Sequence, residues 1–372
     1  MQLSNADNLR LNVLLAQPLK AIRINESSMT VHALTEKGEA KVVLNPTVRD
    51  EQYLLWVREL LSMKTTGSPG GYPMYIKRWT RMGQADNTLE HMLLLGEPEA
   101  VIAVVYSPNV SHEIGVRAWW ANPTTEVARR LMEYPEVVAG ELGKELAEYL
   151  MEFLPFEERQ VDIVDMVRLC LQGELITEKQ REALWTKAKR RNPFYVGFLH
   201  AEPKQIPLNK KPHASHAAVT ENLHTLIGNN IYAQALCRIL SEDGQKWLQT
   251  LKNALQKPVD QDVVISLFKS IKQFFNLPYP ERRGAHSIEE AIERTDLFSK
   301  ISDNNYPDLN TFLETLDEKY LDKFSALILL SQLGENTLTP IFSGNDSVGI
   351  VMRRKLHPLT SPLLEKVDIL MS

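Results

Sequence analysis

Glu141-Leu142-Gly143-Lys144-Glu145-Leu146-Ala147-Glu148-Tyr149-Leu150-Met151-Glu152-Phe153-Leu154 is the stretch that decides the fold. Leu142, Leu146, Tyr149, Leu150 and Phe153 recur at spacings of three and four, which gathers them on one helical face, while Glu141, Glu145, Glu148 and Glu152 take the opposite face. The pattern predicts an amphipathic helix with one buried side. It ends at Leu154-Pro155, because a residue before proline is sterically kept out of the helical region. The same grammar repeats outward. Ser107-Pro108, Asn122-Pro123 and Tyr134-Pro135 mark breaks upstream. Downstream, a helix over 160–171 turns Ile163, Val164, Val167 and Cys170 inward, and another runs from a Thr177 cap, with Gln180 as its capping-box partner, to Arg191 before Asn192-Pro193. Short helices between tight breaks predict a mainly α protein of stacked helices, an irregular α-solenoid without a fixed repeat length.

The two ends of the chain read differently. A helix over 5–16 is capped by Ser4 and carries Ala6, Leu9, Val13 and Leu14 on one side. Ala21–Ile24, Met29–Ala33 and Lys41–Leu44 then read as strands, the last two joined at Glu36-Lys37-Gly38-Glu39, where glycine supplies positive φ. A helix with Tyr53, Trp56, Val57 and Leu60 on one stripe follows over 49–62, up to the break at 67–73. At the other end, Thr339–Ser343 and Val348–Met352 flank Gly344-Asn345-Asp346-Ser347 and predict a β-hairpin. The expected organisation is a small α+β region over 1–85, a helical array over 86–201, a proline-rich linker over 202–215, a helical region over 216–337, and a hairpin and tail over 338–372. Helices are predicted in the fourth of these at 216–227, 231–255, 260–275, 287–302 and 308–333.

Charge and cysteine usage narrow the function classes. A net charge of -5 lacks the basic excess of a dedicated nucleic-acid binder. Cys170 and Cys237 form no Cys-x-x-Cys pair, so neither a disulfide framework nor a thioredoxin-type motif is signalled, and both read as small apolar core residues. The N-terminus lacks the basic and apolar regions of a secretion signal, and Ala326–Leu330 is too short to cross a bilayer. The expectation is a soluble, cytoplasmic protein.

Motifs for known chemistries fail one at a time. The glycine-rich 67–71 is followed by Tyr72-Pro73 where a P-loop needs Lys-Ser/Thr. Gly344–Gly349 has one residue too many for a nucleophile elbow. There is no His-Glu-x-x-His and no dinucleotide fingerprint, and His213, His216 and His224 read as solvated rather than metal-ligating. No catalytic residue, cofactor site or metal site is assigned.

Partner-binding candidates remain. Tyr75, Lys77, Arg78, Trp79 and Arg81 interleave rings with cations, the composition of a single-stranded nucleic-acid surface, although a strand with buried rings and solvated cations is the favoured reading of the pattern. Lys187, Lys189, Arg190 and Arg191 close a predicted helix, where the dipole favours cations without any partner. Arg353-Arg354-Lys355 is a third, weaker cluster, and convergence of these clusters in space is the condition for an anionic-partner surface. Adjacent Trp119 and Trp120 must point in different directions on a helix, so one of them is expected in the core and the other against a neighbouring helix or a partner.

Several segments carry a family resemblance: Asp7–Ala16, Ala21–Ile24, Asp50–Leu54, Gly67–Pro73, Arg78–Gln84, Leu95–Val101 and Tyr195–Leu199. Together they resemble DsrS, the soluble accessory protein of the dissimilatory sulfite reductase system in sulfur-oxidising bacteria. The resemblance runs through most of the first two hundred residues and more loosely beyond. It implies a cytoplasmic, non-catalytic accessory or regulatory role in oxidation of stored sulfur, with a protein of that system as partner; RNA binding through the basic segments, and an enzyme with a dispersed site that no motif reveals, are the alternative readings of the residues. It implies no active-site residues.

Overall fold

The structure is a computed structural model that describes residues 3–67, 88–277, 285–298, 306–343 and 349–372. It is mainly helical with one small antiparallel sheet. The chain divides into two compact units, Met1–Phe153 and Leu154–Ser372.

The first unit opens with α1 (Asn5–Leu15), capped by Ser4 Oγ on the Asp7 N–H. Its buried side is Asp7, Leu11 and Leu14, whereas Ala6, Leu9 and Val13 face out. The expected apolar side is therefore turned by a buried carboxylate. Asp7 accepts a 2.6 Å hydrogen bond from the Tyr53 hydroxyl and a 2.8 Å bond from the Asn45 N–H, and these bonds place it inside. Strands β1 (Leu19–Asn25), β2 (Thr30–Thr35) and β3 (Gly38–Val43) form a meander, with Ile22 opposite Ala33 and Val31 opposite Val42. Thr35 pairs with Gly38 across the turn, and Gly38 has φ +115°, a value that disfavours a side chain. Helix α2 (Asp50–Thr66) lays Tyr53, Leu54, Val57 and Leu61 on the core that this sheet shares with α1.

Short helices complete the unit: α3 (Thr88–Met92), α4 (Pro98–Val105), α5 (His112–Ala121), α6 (Thr125–Leu131), α7 (Pro135–Val138) and α8 (Glu141–Phe153). Prolines start α4 and α7 as well as ending what precedes them, since the missing N–H costs nothing in a first turn. Leu142, Leu146 and Leu150 of α8 are buried as their spacing predicts. Phe153 stays 39% exposed, stacked on Tyr149 with centroids 4.4 Å apart. Glu145 is not merely solvated: its Oε1 accepts the Trp119 indole N–H at 2.6 Å.

The second unit comprises α9 (Gln160–Cys170), α10 (Glu178–Ala188), α11 (Asn192–His200), α12 (His216–Asn222), α13 (Ile231–Leu240), α14 (Glu242–Gln256), α15 (Gln261–Phe274), α16 (Ile288–Phe298), α17 (Pro307–Thr315), α18 (Leu321–Gln332), α19 (Glu335–Phe342) and α20 (Gly349–Met371). The Thr177–Gln180 capping box is present. Gly197 lets α11 press on α9, because a Cβ there would lie 2.6 Å from Val167. A solenoid repeat touches only its neighbours. Here α11 packs on α9, α14 and α15, and α20 returns to α14 and α18, so the unit closes on itself.

Three expectations are corrected here. The segment 202–215 is no boundary linker: it lies inside the second unit, with Gln205 and Ile206 buried and the His213 N–H bonded to the Leu240 carbonyl at 2.9 Å. The helix expected over 231–255 is two helices, broken at Ser241, whose hydroxyl caps α14. The C-terminal hairpin is absent from the described residues. Thr339–Phe342 belongs to α19, and Gly349–Met352 begins α20, which continues through Pro358 and Pro362. Met352, Leu356, Leu359, Leu363, Val367 and Leu370 recur at helical spacing and are all buried, so burial of that stripe outweighs the two lost backbone hydrogen bonds.

Candidate anion-binding site

Two cavities with polar walls lie one in each unit. The first holds about 470 Å³ and is bordered by Arg23, Glu26, His32, Arg58 and Asn122. Its cations are already matched by the fold. Arg23 Nη2 lies 3.2 Å from Glu39, His32 Nδ1 lies 2.6 Å from Glu39, and Arg58 pairs with Glu26. The hydrogen bond from His32, with Arg23 and the Trp120 N–H adding to it, holds the Glu39 carboxyl below its usual range against a smaller desolvation effect. Trp120 stacks under Arg23 at 4.7 Å and donates its N–H to Glu39 at 3.2 Å. The tryptophan pair thus splits as helical geometry requires: Trp119 is buried toward α8, and Trp120 reaches the sheet. Both are engaged within the unit.

The second cavity, of about 570 Å³, is built by four separate stretches of the second unit. Ala188, Lys189 and Arg190 come from the end of α10, and Asn192 and Tyr195 from the first turn of α11. Asn253, Gln256 and Lys257 come from the end of α14 and Arg353 from α20. Its size falls within the range of about 300–1,000 Å³ typical of small-molecule sites. Four cations line it, and among the described residues none of the four makes an ion pair. Arg353 Nη1 donates to the Pro258 carbonyl at 3.3 Å, which holds its guanidinium.

Asn192 is the structurally unusual member. Its residue is 7% exposed, and its Nδ2 donates to the Ala254 carbonyl at 2.7 Å. Its Oδ1 is buried with no hydrogen-bond partner. A buried acceptor left unpaired costs about 1–3 kcal/mol, so its retention calls for a reason. Helix dipoles explain part of the basic character, since Lys189, Arg190 and Lys257 follow the C-termini of α10 and α14. They do not explain Arg353, which lies within α20, or the unpaired Asn192 oxygen.

Of the sequence candidates, Lys189 and Arg190 line this cavity. Lys187 is exposed away from its lining, and Arg191 is committed to the fold: it bonds the Glu157 carbonyl at 3.3 Å and lies over Phe194. Tyr75, Lys77, Arg78, Trp79 and Arg81 lie outside the described residues. Part of the third basic cluster does converge with the second, through Arg353. Asn192, Asn253, Gln256 and Lys257 were not legible as site residues. The one signal, Asn192-Pro193, marked a helix boundary and nothing more.

The cysteines and histidines sit elsewhere. Burial pushes the Cys170 thiol up to about 12, and burial likewise raises half-buried Cys237 against the opposing hydrogen bond from Thr220, so both are protonated at neutral pH. His213 is not solvated as its sequence context suggested: it is buried beside the Ser372 carbonyl and 3.2 Å from Lys323 Nζ. Among the described residues, no three His, Cys, Asp or Glu side chains are grouped to hold a metal ion. No described helix is long and apolar enough to cross a membrane. No family model, no curated protein and no solved structure matches the chain.

Proposed function

We propose that this chain is a non-catalytic accessory or regulatory protein of bacterial sulfur oxidation through the dissimilatory sulfite reductase pathway, working in the cytoplasm by binding an anionic partner. The observation that carries the binding role is the cavity of the second unit, lined by Lys189, Arg190, Lys257 and Arg353, none of which makes an ion pair among the described residues. The first unit gives the contrast, because the cations at its cavity are spent on Glu26 and Glu39. The sulfur-oxidation setting rests on the segments that resemble DsrS, and on nothing else.

Deletion of the gene in the bacterium that encodes it tests the setting. The expected result is slower oxidation of stored sulfur or altered levels of the sulfite-reductase proteins, and unchanged rates and levels would remove the proposal. A chromosomal Lys189→Glu/Arg190→Glu variant tests the cavity and is expected to reproduce the deletion. A second reading, RNA as the anionic partner, is favoured by Tyr195 beside the cations, since rings and cations together hold unpaired bases. It predicts retention of single-stranded RNA that weakens steeply with salt.

A further inference from the structure

We infer that a second copy of this chain docks on the open edge of the sheet, β3 against β3. Backbone groups along a strand point alternately to its two sides. In β3, Val42 lies opposite Val31, and just beyond it the Leu44 N–H donates to the Met29 carbonyl at 2.8 Å. Even-numbered residues therefore bond inward to β2, and Glu39, Lys41 and Val43 turn their N–H and C=O groups off the sheet. The Val43 carbonyl is taken by Arg10 Nη1 at 3.2 Å. The outward backbone groups of Glu39 and Lys41 make no hydrogen bond among the described residues. The other edge is treated differently, since the Ile22 N–H of β1 donates to the Leu93 carbonyl at 2.9 Å. An open strand edge is a template for a further strand.

Backbone direction and charge select the same register. Two identical strands related by a two-fold axis pair antiparallel, and their outward groups meet only if odd-numbered residues lie opposite odd-numbered ones. A pairing centred on Glu39 or on Lys41 sets like charges face to face, which opposes it. A pairing centred on Ala40 sets Glu39 opposite Lys41 of the second copy, and Lys41 opposite its Glu39. Glu39 already meets Arg23 and His32, but its side chain is still 38% exposed and open to an ammonium group. The ladder ends where Arg10 holds the Val43 carbonyl and where the chain turns before Gly38.

Helix α1 supplies the apolar part of the surface. Its buried side joins the core over Val31, Ala33 and Val42, and Arg10 reaches from it to the end of β3. Ala6 and Val13, one turn to either side of Arg10, flank that edge, with Leu9 next to them. Leu9 is 67% and Val13 58% exposed. A two-fold axis through Ala40 keeps both copies of α1 on one face of the continuous sheet and turns these side chains toward their counterparts.

Sedimentation velocity of the full-length protein over a concentration series tests this, and a reversible dimer is expected. Lys41→Glu places like charges at both cross-strand pairs and is expected to weaken the dimer tenfold or more. Lys41→Pro is expected to do the same with an unchanged far-UV spectrum, because the N–H it removes serves no bond within the chain. Oxidation of Ala40→Cys is expected to link two chains, since opposed residues of this kind bring their Cα atoms to about 4.5 Å, within disulfide reach. Val43→Cys, displaced from the axis, is expected to stay unlinked. A monomer at every concentration would overturn the inference. So would a dimer indifferent to Lys41→Glu, or one in which Val43→Cys links as readily as Ala40→Cys. Lys41→Glu and the cysteine pair decide the matter even where Lys41→Pro fails to fold.

Discussion

The two units use the same kinds of side chain in opposite ways. In the second, aromatic rings fill the interior: Trp247, Phe194, Phe198, Phe268, Phe275, Phe312 and Phe324 are essentially fully buried. Among the described residues of the first, Tyr53 is the corresponding fully buried ring, and Trp56, Trp120 and Tyr149 lie partly open with their polar edges in use or near water. Cations reverse the order. Those at the first cavity are matched by carboxylates, and those at the second make no ion pair among the described residues. Matched cations hold a structure, whereas a set that the fold leaves unmatched is available to a ligand. The charged residues of the first unit therefore read as architecture, and those of the second cavity as a site.

The comparison can be broken most forcefully in the aromatic core. Trp247 stacks on Phe274 at 3.9 Å, meets Phe275 edge-on and donates its N–H to the Leu199 carbonyl at 3.1 Å. Trp247→Ala is expected to destabilise the second unit by about 3–5 kcal/mol in denaturant titration. A loss below 1 kcal/mol would show that the aromatic core is not what holds it. Tyr53→Phe in the first unit removes a donor to buried Asp7 and is expected to cost about 1–3 kcal/mol. A neutral outcome would mean that the Asn45 and Ser4 bonds suffice.

Charge substitutions sharpen the contrast at smaller energies. Arg23→Ala breaks a half-exposed pair with Glu39 and a stacked contact on Trp120, and is expected to lower stability by about 1 kcal/mol while leaving anion binding unchanged. Lys189→Glu/Arg190→Glu is expected to do the reverse, weakening pyrophosphate binding tenfold with only the small fall in Tm that reversed charges at a helix C-terminus bring. Were both pairs to behave alike, the division into structural and available cations would fail.

The units are also expected to respond to acid in different windows. For Asp7, burial alone raises the carboxyl, but the bonds from Tyr53, Asn45 and Ser4 together outweigh it and hold the group below its usual value. Its contribution is full above the ordinary carboxylate pKa of about 3.9 and is lost as pH falls through the lower folded value. For His200, burial lowers the imidazole against the opposing bond to Ser266. The unfolded chain takes up that proton first, so this contribution is full above about pH 6.5 and declines as pH falls below it, toward the folded value. Backbone NMR across a pH titration should show resonances around α11 responding before those of α1 and the sheet. Loss of both sets in one step would refute the separation.

Much of the architecture was legible in the chain because it depends on local rules. The Leu142–Leu146–Leu150 spacing, the Thr177–Gln180 box, the Ser4 cap and the Gly38 turn each specify backbone through neighbours only a few residues away. Local rules misled where distant partners decide. Ala6, Leu9 and Val13 looked like the inner side of α1 until Tyr53, 46 residues from Asp7, drew the carboxylate inward. The segments 339–343 and 348–352 looked like hairpin strands around a turn, whereas Gly349–Met352 opens a helix whose buried stripe is completed by α14 and α18.

The candidate site lies beyond such rules altogether. By itself the sequence determined the helical class, the small sheet, the caps and the presence of basic clusters, since propensity, spacing and turn chemistry act between near neighbours. Only the tertiary structure decided that Arg353 joins Lys189 and Arg190, that Arg191 is taken up by Glu157 and Phe194, and that Asn192 keeps a buried oxygen unpaired. Each of those facts is a relation between segments that packing brings together, and a charge becomes structural or available according to what it then meets.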